Sequence, residues 1–291
     1  MLRTKPVLLL IVALLFAQFA CAAPASYTQG LLWKIERAGQ APSHVFGTIH
    51  SEDSRVLNLP GPVQSAFAQS RIYVMEAVFD ANALQAMMSA MMYSDGRTLQ
   101  QTISPAMYQK SVSAMAVYGM PEQVMQLMKP WAIAVTLSLP KPKTGVVLDL
   151  ALMQKATAQG KQTAGLESAE EQLGIFDRLS ISEQATMLED TLKLLPEIEQ
   201  TLADLHAAYL TRDLARLVRI SDAMQAKGNR ELGKKVMPQL IDARNRRMVE
   251  RMESHLKSGN AFIAIGALHL PGEVGVLHLL AQKGYRVSVV Y

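Results

Sequence analysis

The stretch Ala261-Phe262-Ile263-Ala264-Ile265-Gly266-Ala267-Leu268-His269 decides the fold class of this chain. The apolar run from Ala261 to Ala267 reads as a buried strand. A helix is predicted from Glu273 to Lys283 and a closing strand from Arg286 to Val290, and strand–helix–strand implies a parallel crossover. His269 then stands at the carboxyl end of a buried strand, where open α/β sheets place their ligand sites. Gly266-Ala267-Leu268-His269 has a counterpart near the other end of the chain, Gly47-Thr48-Ile49-His50, which follows the apolar pair Val45-Phe46. Histidine is the commonest metal ligand and the usual proton shuttle near neutral pH. Two histidines in matching contexts predict one site built from both ends of the chain.

Working outward, Leu31 to Glu36 and His44 to Ile49 read as a hairpin whose turn holds Gly39 and Pro42. A helix over Pro62 to Gln69 leads into the strand Arg71 to Ala77. Helical spacing runs over Asp80 to Tyr93, Ser104 to Tyr118 and Pro121 to Leu139, with a break expected at Pro130. Val147 to Gln159 is a helix and Gln162 to Leu166 a short strand. Ser168-Ala169-Glu170-Glu171 is a capping box that opens the next helix. Helices continue to about Ser258, with interruptions expected near Pro196, Thr211 and Gly228. The expected fold is α/β, with a central mixed sheet formed by the N- and C-terminal segments, flanked by helices, and a large helical insertion in the middle.

The first residues read as an export signal. Arg3 and Lys5 carry charge, Val7 to Ala17 is apolar, and Ala20-Cys21-Ala22 offers small residues for cleavage between Ala22 and Ala23. That run is too short to span a bilayer comfortably. The expected division is a signal peptide over 1–22 and a single domain over 23–291, exported to the periplasm with no transmembrane span in the mature protein. A lipid anchor on Cys21 is the less favoured alternative, because Gln18 and Phe19 suit that processing poorly. Cys21 is the one cysteine, so the processed chain would hold no disulfide and rest on an ordinary core, for which about 270 residues suffice. The net charge of +4 falls once Arg3 and Lys5 are gone, and it forms no concentrated basic face, which argues against nucleic acid as a partner.

The ordered set of motifs resembles the TraB/GumN family, related to the Tiki metalloproteases. The resemblance rests on Gly47-Thr48-Ile49-His50, and on Glu76 in Tyr73-Val74-Met75-Glu76. It continues through Leu148-Asp149, Ala156, Gly160-Lys161, Gly165-Leu166-Glu167-Ser168 and Gln172, then Arg244-Asn245 and Gly266 to Gly272. It implies a divalent-metal site using both G-x-x-H histidines and an acidic residue, with peptide-bond hydrolysis in the Tiki branch and manganese, cobalt or zinc as the cation.

A lone histidine at a strand end is commonly held by backbone; two identical contexts shift the reading of His50 and His269 toward a shared function. Glu76 closes a predicted buried strand, where a carboxylate is costly unless paired or cation-bound. It either escapes to solvent or, as the resemblance implies, serves as metal ligand or general base. Imidazole and carboxylate together suit several first-row cations without separating them. On the helix around Arg244 and Asn245, the apolar residues Met237, Leu240, Ile241, Met248, Val249 and Met252 share one face, which points both inward and leaves Arg246 and Arg247 facing water. An inward arginine needs an acidic partner or an anion. Glu76 or Glu167 supplies the partner, or Arg244 stabilises an oxyanion. Glu167 and Asp149 are placed around the site rather than at its centre.

Ten of the 17 methionines fall between Met75 and Met128. Soft thioethers bind copper(I), yet methionines at helical spacing more often form adaptable packing or an apolar groove, which is the favoured reading. No His-Glu-x-x-His word and no Gly-x-Ser-x-Gly elbow is present. The expected function is an exported metal-dependent hydrolase for peptide or protein substrates. His50, His269 and Glu76 are its expected metal residues, and Glu76, Arg244, Asn245 and Glu167 its expected catalytic set. The alternative is a non-catalytic periplasmic binding protein for a peptide or a haem-like ligand.

Overall fold

The computed structural model describes residues 27–78 and 81–291. The expected leader over 1–22 and Asp80, the predicted start of a helix, lie outside the described residues. Six strands form one sheet: β1 (Leu32–Glu36), β2 (Ser43–Thr48), β3 (Ile72–Ala77), β4 (Gln162–Glu167), β5 (Ala261–Gly266) and β6 (Arg286–Val289), in the order β4-β3-β5-β2-β1-β6. β4, β3, β5 and β2 run parallel, while β1 is antiparallel to both β2 and β6. The mixed α/β sheet expected from the sequence is therefore present. β5 and β6 do run the same way, but β2 and β1 lie between them, so the crossover spans two strands. β5 is central because it is apolar along its whole length. Phe262 packs against Phe46, Phe67 and Tyr73 with ring centroids 5.2–6.4 Å apart.

The register places the two G-x-x-H words side by side. His44 pairs with Phe262 and Thr48 with Gly266, so both strands finish together and both histidines leave the same sheet edge. Gly47 lets this happen: a Cβ there would stand 2.7 Å from Leu270 Cδ1 and 3.2 Å from the Ala267 backbone.

Between β3 and β5 the chain builds a second, helical core around Leu99, Tyr108, Met115, Met125, Met128, Trp131 and Leu188. Met115, Met125 and Met128 are packing residues there, whereas Met88 stays exposed. The break at Pro130 is present, with Pro130 as the first residue of helix Pro130–Leu137. Pro196 behaves otherwise than expected and sits inside the continuous helix Ile181–Leu210. It lies on the exposed side of that helix, where its ring meets solvent rather than the core. The last predicted helix is shorter than expected, Val276–Gln282, because Pro271 to Gly275 form a loop.

The capping box at Ser168 is formed, and Glu171 also takes two hydrogen bonds of 2.7 Å from Arg251. The Arg251 guanidinium holds the Glu171 carboxyl down at about 2. A carboxyl lowered on folding contributes stability that is present above the ordinary carboxylate range and fades as pH falls toward 2. Both side chains are partly exposed, so the contribution is held to less than about 1 kcal/mol by screening. Urea midpoints at pH 5 and pH 3 should therefore fall less for Glu171→Gln than for the wild type.

Candidate functional site

Beyond the carboxyl ends of β2, β3 and β5 lies a cavity of about 380 Å³, with His50, Glu76, Asp149, Gln172, Arg244 and His269 among its lining residues. Apolar walls come from Leu205, Leu217, Leu240 and Leu268. Six positions expected from the sequence, His50, Glu76, Glu167, Arg244, Asn245 and His269, are gathered at this one place in the fold.

His269 is buried, and its Nδ1 is 2.6 Å from Asn245 Oδ1. The Asn245 amide nitrogen donates to the Val274 carbonyl at 2.8 Å, which fixes Oδ1 as the group facing the ring. Nδ1 must then carry the proton, and Nε2 presents a lone pair 4.0 Å from Glu76 Oε2. Burial lowers the proton affinity of His269, so the neutral ring prevails near pH 7.

Glu76 Oε2 accepts from the Gly266 N–H at 3.0 Å, while Oε1 accepts from Gln172 Nε2 at 3.0 Å and from Arg244 Nη2. Burial alone would raise its pKa, but charged and hydrogen-bonding neighbours, the Arg244 guanidinium and the Gly266 N–H among them, outweigh that and lower it. Gly266 thus donates its N–H to the carboxylate.

Behind Arg244 stands Glu167, whose side chain is fully buried. It accepts from Arg244 Nε at 2.8 Å, Arg247 Nε at 3.0 Å and Gln172 Nε2 at 3.3 Å. Arg244 therefore pairs with both acids that the sequence offered as alternatives. Arg247 does not point into water as expected. The buried carboxylate at the end of β4 draws it sideways across the helix surface, and Arg246 alone of the two stays exposed. A π-helical segment, Pro238–Ala243, precedes helix Arg244–Ser258 and brings Leu240 and Ile241 to the cavity wall. Such segments recur at functional sites.

His50 stands at the more open side of the cavity, with 53% of its side chain exposed and Nδ1 3.4 Å from Asp149 Oδ2. Asp149 Oδ1 accepts from the Thr48 hydroxyl at 2.6 Å, whereas Oδ2 is buried and takes no hydrogen bond from the described residues. The Asp149 carboxylate raises the pKa of His50. Asp149 is thus a cavity residue, nearer the centre than the sequence indicated. Gln172 was quoted only as part of a motif. Its position in the first turns of a capped helix was the available signal, but not which carboxylates it would meet.

Among the described residues no three His, Cys, Asp or Glu side chains stand together as a ready cation cage. The chemistry of the donors nevertheless suits a divalent cation: a neutral imidazole with a free Nε2, a carboxylate 4.0 Å away, a second imidazole on the same cavity, and the unspent Oδ2 of Asp149.

Fold and site together define an α/β sheet protein with a histidine–carboxylate–arginine pocket at the carboxyl ends of its parallel strands. The chain belongs to the TraB/PrgY/gumN family, whose model matches residues 31–289. It is 27% identical over 316 residues to Metalloprotease TIKI1 of Homo sapiens, covering 90% of this chain and 62% of that protein. It is 25% identical to Metalloprotease TIKI1 of Danio rerio, covering 91% and 64%, and 27% identical to Metalloprotease TIKI2 of Xenopus tropicalis, covering 92% and 61%. The chain spans less than two thirds of the length of these curated relatives. No solved structure matches it. No helix among the described residues is long and apolar enough to cross a membrane.

Proposed function

We propose that this protein is a metal-dependent hydrolase of peptide or protein substrates, exported to the periplasm by the leader read over residues 1–22. The observation that carries the reading is the free Nε2 of buried His269 facing the Glu76 carboxylate at 4.0 Å, in a cavity that His50 also lines. His269, His50 and Glu76 would hold the cation, with manganese, cobalt and zinc as candidates. A divalent ion bound there supplies Lewis-acid polarisation of the scissile carbonyl and a water acidic enough to attack near neutral pH.

The chain's own groups do the rest. Asn245 keeps the His269 proton on Nδ1, so the ring offers a lone pair to the cavity. Asp149 steadies His50 at the cavity wall. Gln172 and the Gly266 N–H orient Glu76, which is placed to hold the cation or to take a proton from the attacking water. Arg244, braced from behind by Glu167, puts a fixed positive charge beside the reacting centre and offsets the charge that develops on the carbonyl oxygen. The leucine walls limit water and strengthen these interactions.

A second reading, capture of a peptide or a haem-like ligand without turnover, is favoured by one feature: both Glu76 oxygens already accept hydrogen bonds from protein donors. Chelation separates the two. Protein stripped of metal should lose hydrolysis of a fluorogenic peptide mixture and regain it with manganese, cobalt or zinc. Asn245→Ala should need about 10- to 100-fold more metal for half-activation, the usual cost of removing the partner of a ligand histidine. Stoichiometric peptide binding with no cleavage at any metal concentration would favour the second reading.

A further inference from the structure

Next to the site lies a second, more open cavity of about 410 Å³, bordered by the helices Ile181–Leu210, Leu214–Gln225 and Arg230–Met237. Leu205, Leu240 and Leu268 line both cavities. Leu268 immediately precedes His269, and the Leu240 carbonyl accepts a hydrogen bond from Arg244 Nη1 at 3.4 Å. The two spaces are therefore separated only by side chains attached to the site itself.

The deeper wall is apolar, built from Leu194, Ile198, Met224, Leu232 and Val236. Several of its polar groups are already engaged by the protein. Asp190 Oδ2 accepts from the Asn229 N–H at 2.5 Å, and the Thr201 hydroxyl donates to the Glu197 carbonyl at 3.0 Å. Protein interiors are otherwise close-packed, and an apolar cavity of roughly 150 Å³ already admits a benzene ring. Gly233 adds to the opening. It lies within a helix, where glycine is a poor former, and a Cβ built on it would meet nothing within 4 Å.

We propose that this cavity receives a large apolar side chain, aromatic or long aliphatic, of a peptide whose scissile bond lies over His269 and Glu76. The inference rests on the peptide-hydrolase reading and specifies its substrate class: peptides carrying such a residue beside the bond to be cut. The wall shared with the site makes the occupant part of the substrate, and the predominantly apolar lining sets its chemistry. Gly233 is the specificity-determining position, since it lines the cavity and a Cβ there meets nothing within 4 Å.

Two acetylated hexapeptides, identical except for one Phe or Ala among small residues, test this in the full chain loaded with manganese. Methyl-13C methionine spectra report occupancy through Met187, Met224 and Met237, which line the cavity, and mass spectrometry reports cleavage. The Phe peptide should shift these methyl signals and be cut at least 10-fold faster than the Ala peptide. Gly233→Phe should abolish both differences, and Gly233→Ala should keep much of the preference. Methyl shifts with the Phe peptide and no cleavage would uphold the subsite and overturn the hydrolase reading. Cleavage indifferent to Phe and to Gly233→Phe would do the reverse. Methyl shifts with decanoate but not with the Phe peptide, or no response to either, would overturn the subsite.

Discussion

Replacing Glu167 by Ala is expected to destabilise the protein by about 3 kcal/mol, at the lower end of the cost of breaking a buried ion pair. The physical reason is asymmetry. Glu167 is fully buried and holds Arg244 and Arg247 together, and Gln172 leans on it as well. Removing the acid leaves the Arg244 guanidinium buried with Glu76 as its one remaining carboxylate. Glu167→Gln should cost less, because one oxygen still accepts from Arg244 Nε while the charge is lost. Urea unfolding would show the difference as a shift of midpoint at constant slope. A Glu167→Ala midpoint equal to wild type would mean that the network at the end of β4 contributes nothing to the fold.

The second large effect concerns chemistry rather than stability. His269→Gln keeps most of the buried volume but replaces the imidazole lone pair that faces Glu76 from within the protein core. Peptide hydrolysis is expected to fall by more than about 100-fold, beyond what loss of a ligand's partner causes, and bound manganese or zinc by elemental analysis should fall with it. His50→Ala should lose activity similarly with almost no change in unfolding midpoint, because His50 is exposed and His269 is not. Full activity in a folded His269→Gln protein would remove the imidazole from the mechanism.

Much of the site was legible because its residues carry local signals. Two G-x-x-H words at strand ends announce themselves, and an acid closing an apolar strand at Glu76 needs a partner wherever it lies. The inward direction of Arg244 and Asn245 follows from Met248 and Val249, which share their turn of regular helix. Upstream, the π segment changes the helical phase, so the same spacing argument loses its footing at Leu240. Arg247 was misplaced because helix periodicity reports which side a residue faces, while a long side chain reaches around that side to a buried charge. Pro196 was misread because a proline on the exposed face of a long helix can be carried by the packing of the turns on either side of it.

Local pattern, then, was enough to set the α/β class, the strands, the capping box and most of the chemical groups, since each depends on neighbours a few residues away. The partnerships were decided by the sheet. Which acid Arg244 meets, which nitrogen of His269 is free, how Asp149 comes to His50, and why a second cavity opens beside Leu268 all depend on strand order and register. Those are choices among segments 24 to 168 residues apart, brought together around β5 between β2 and β3, and no periodicity in the chain encodes them.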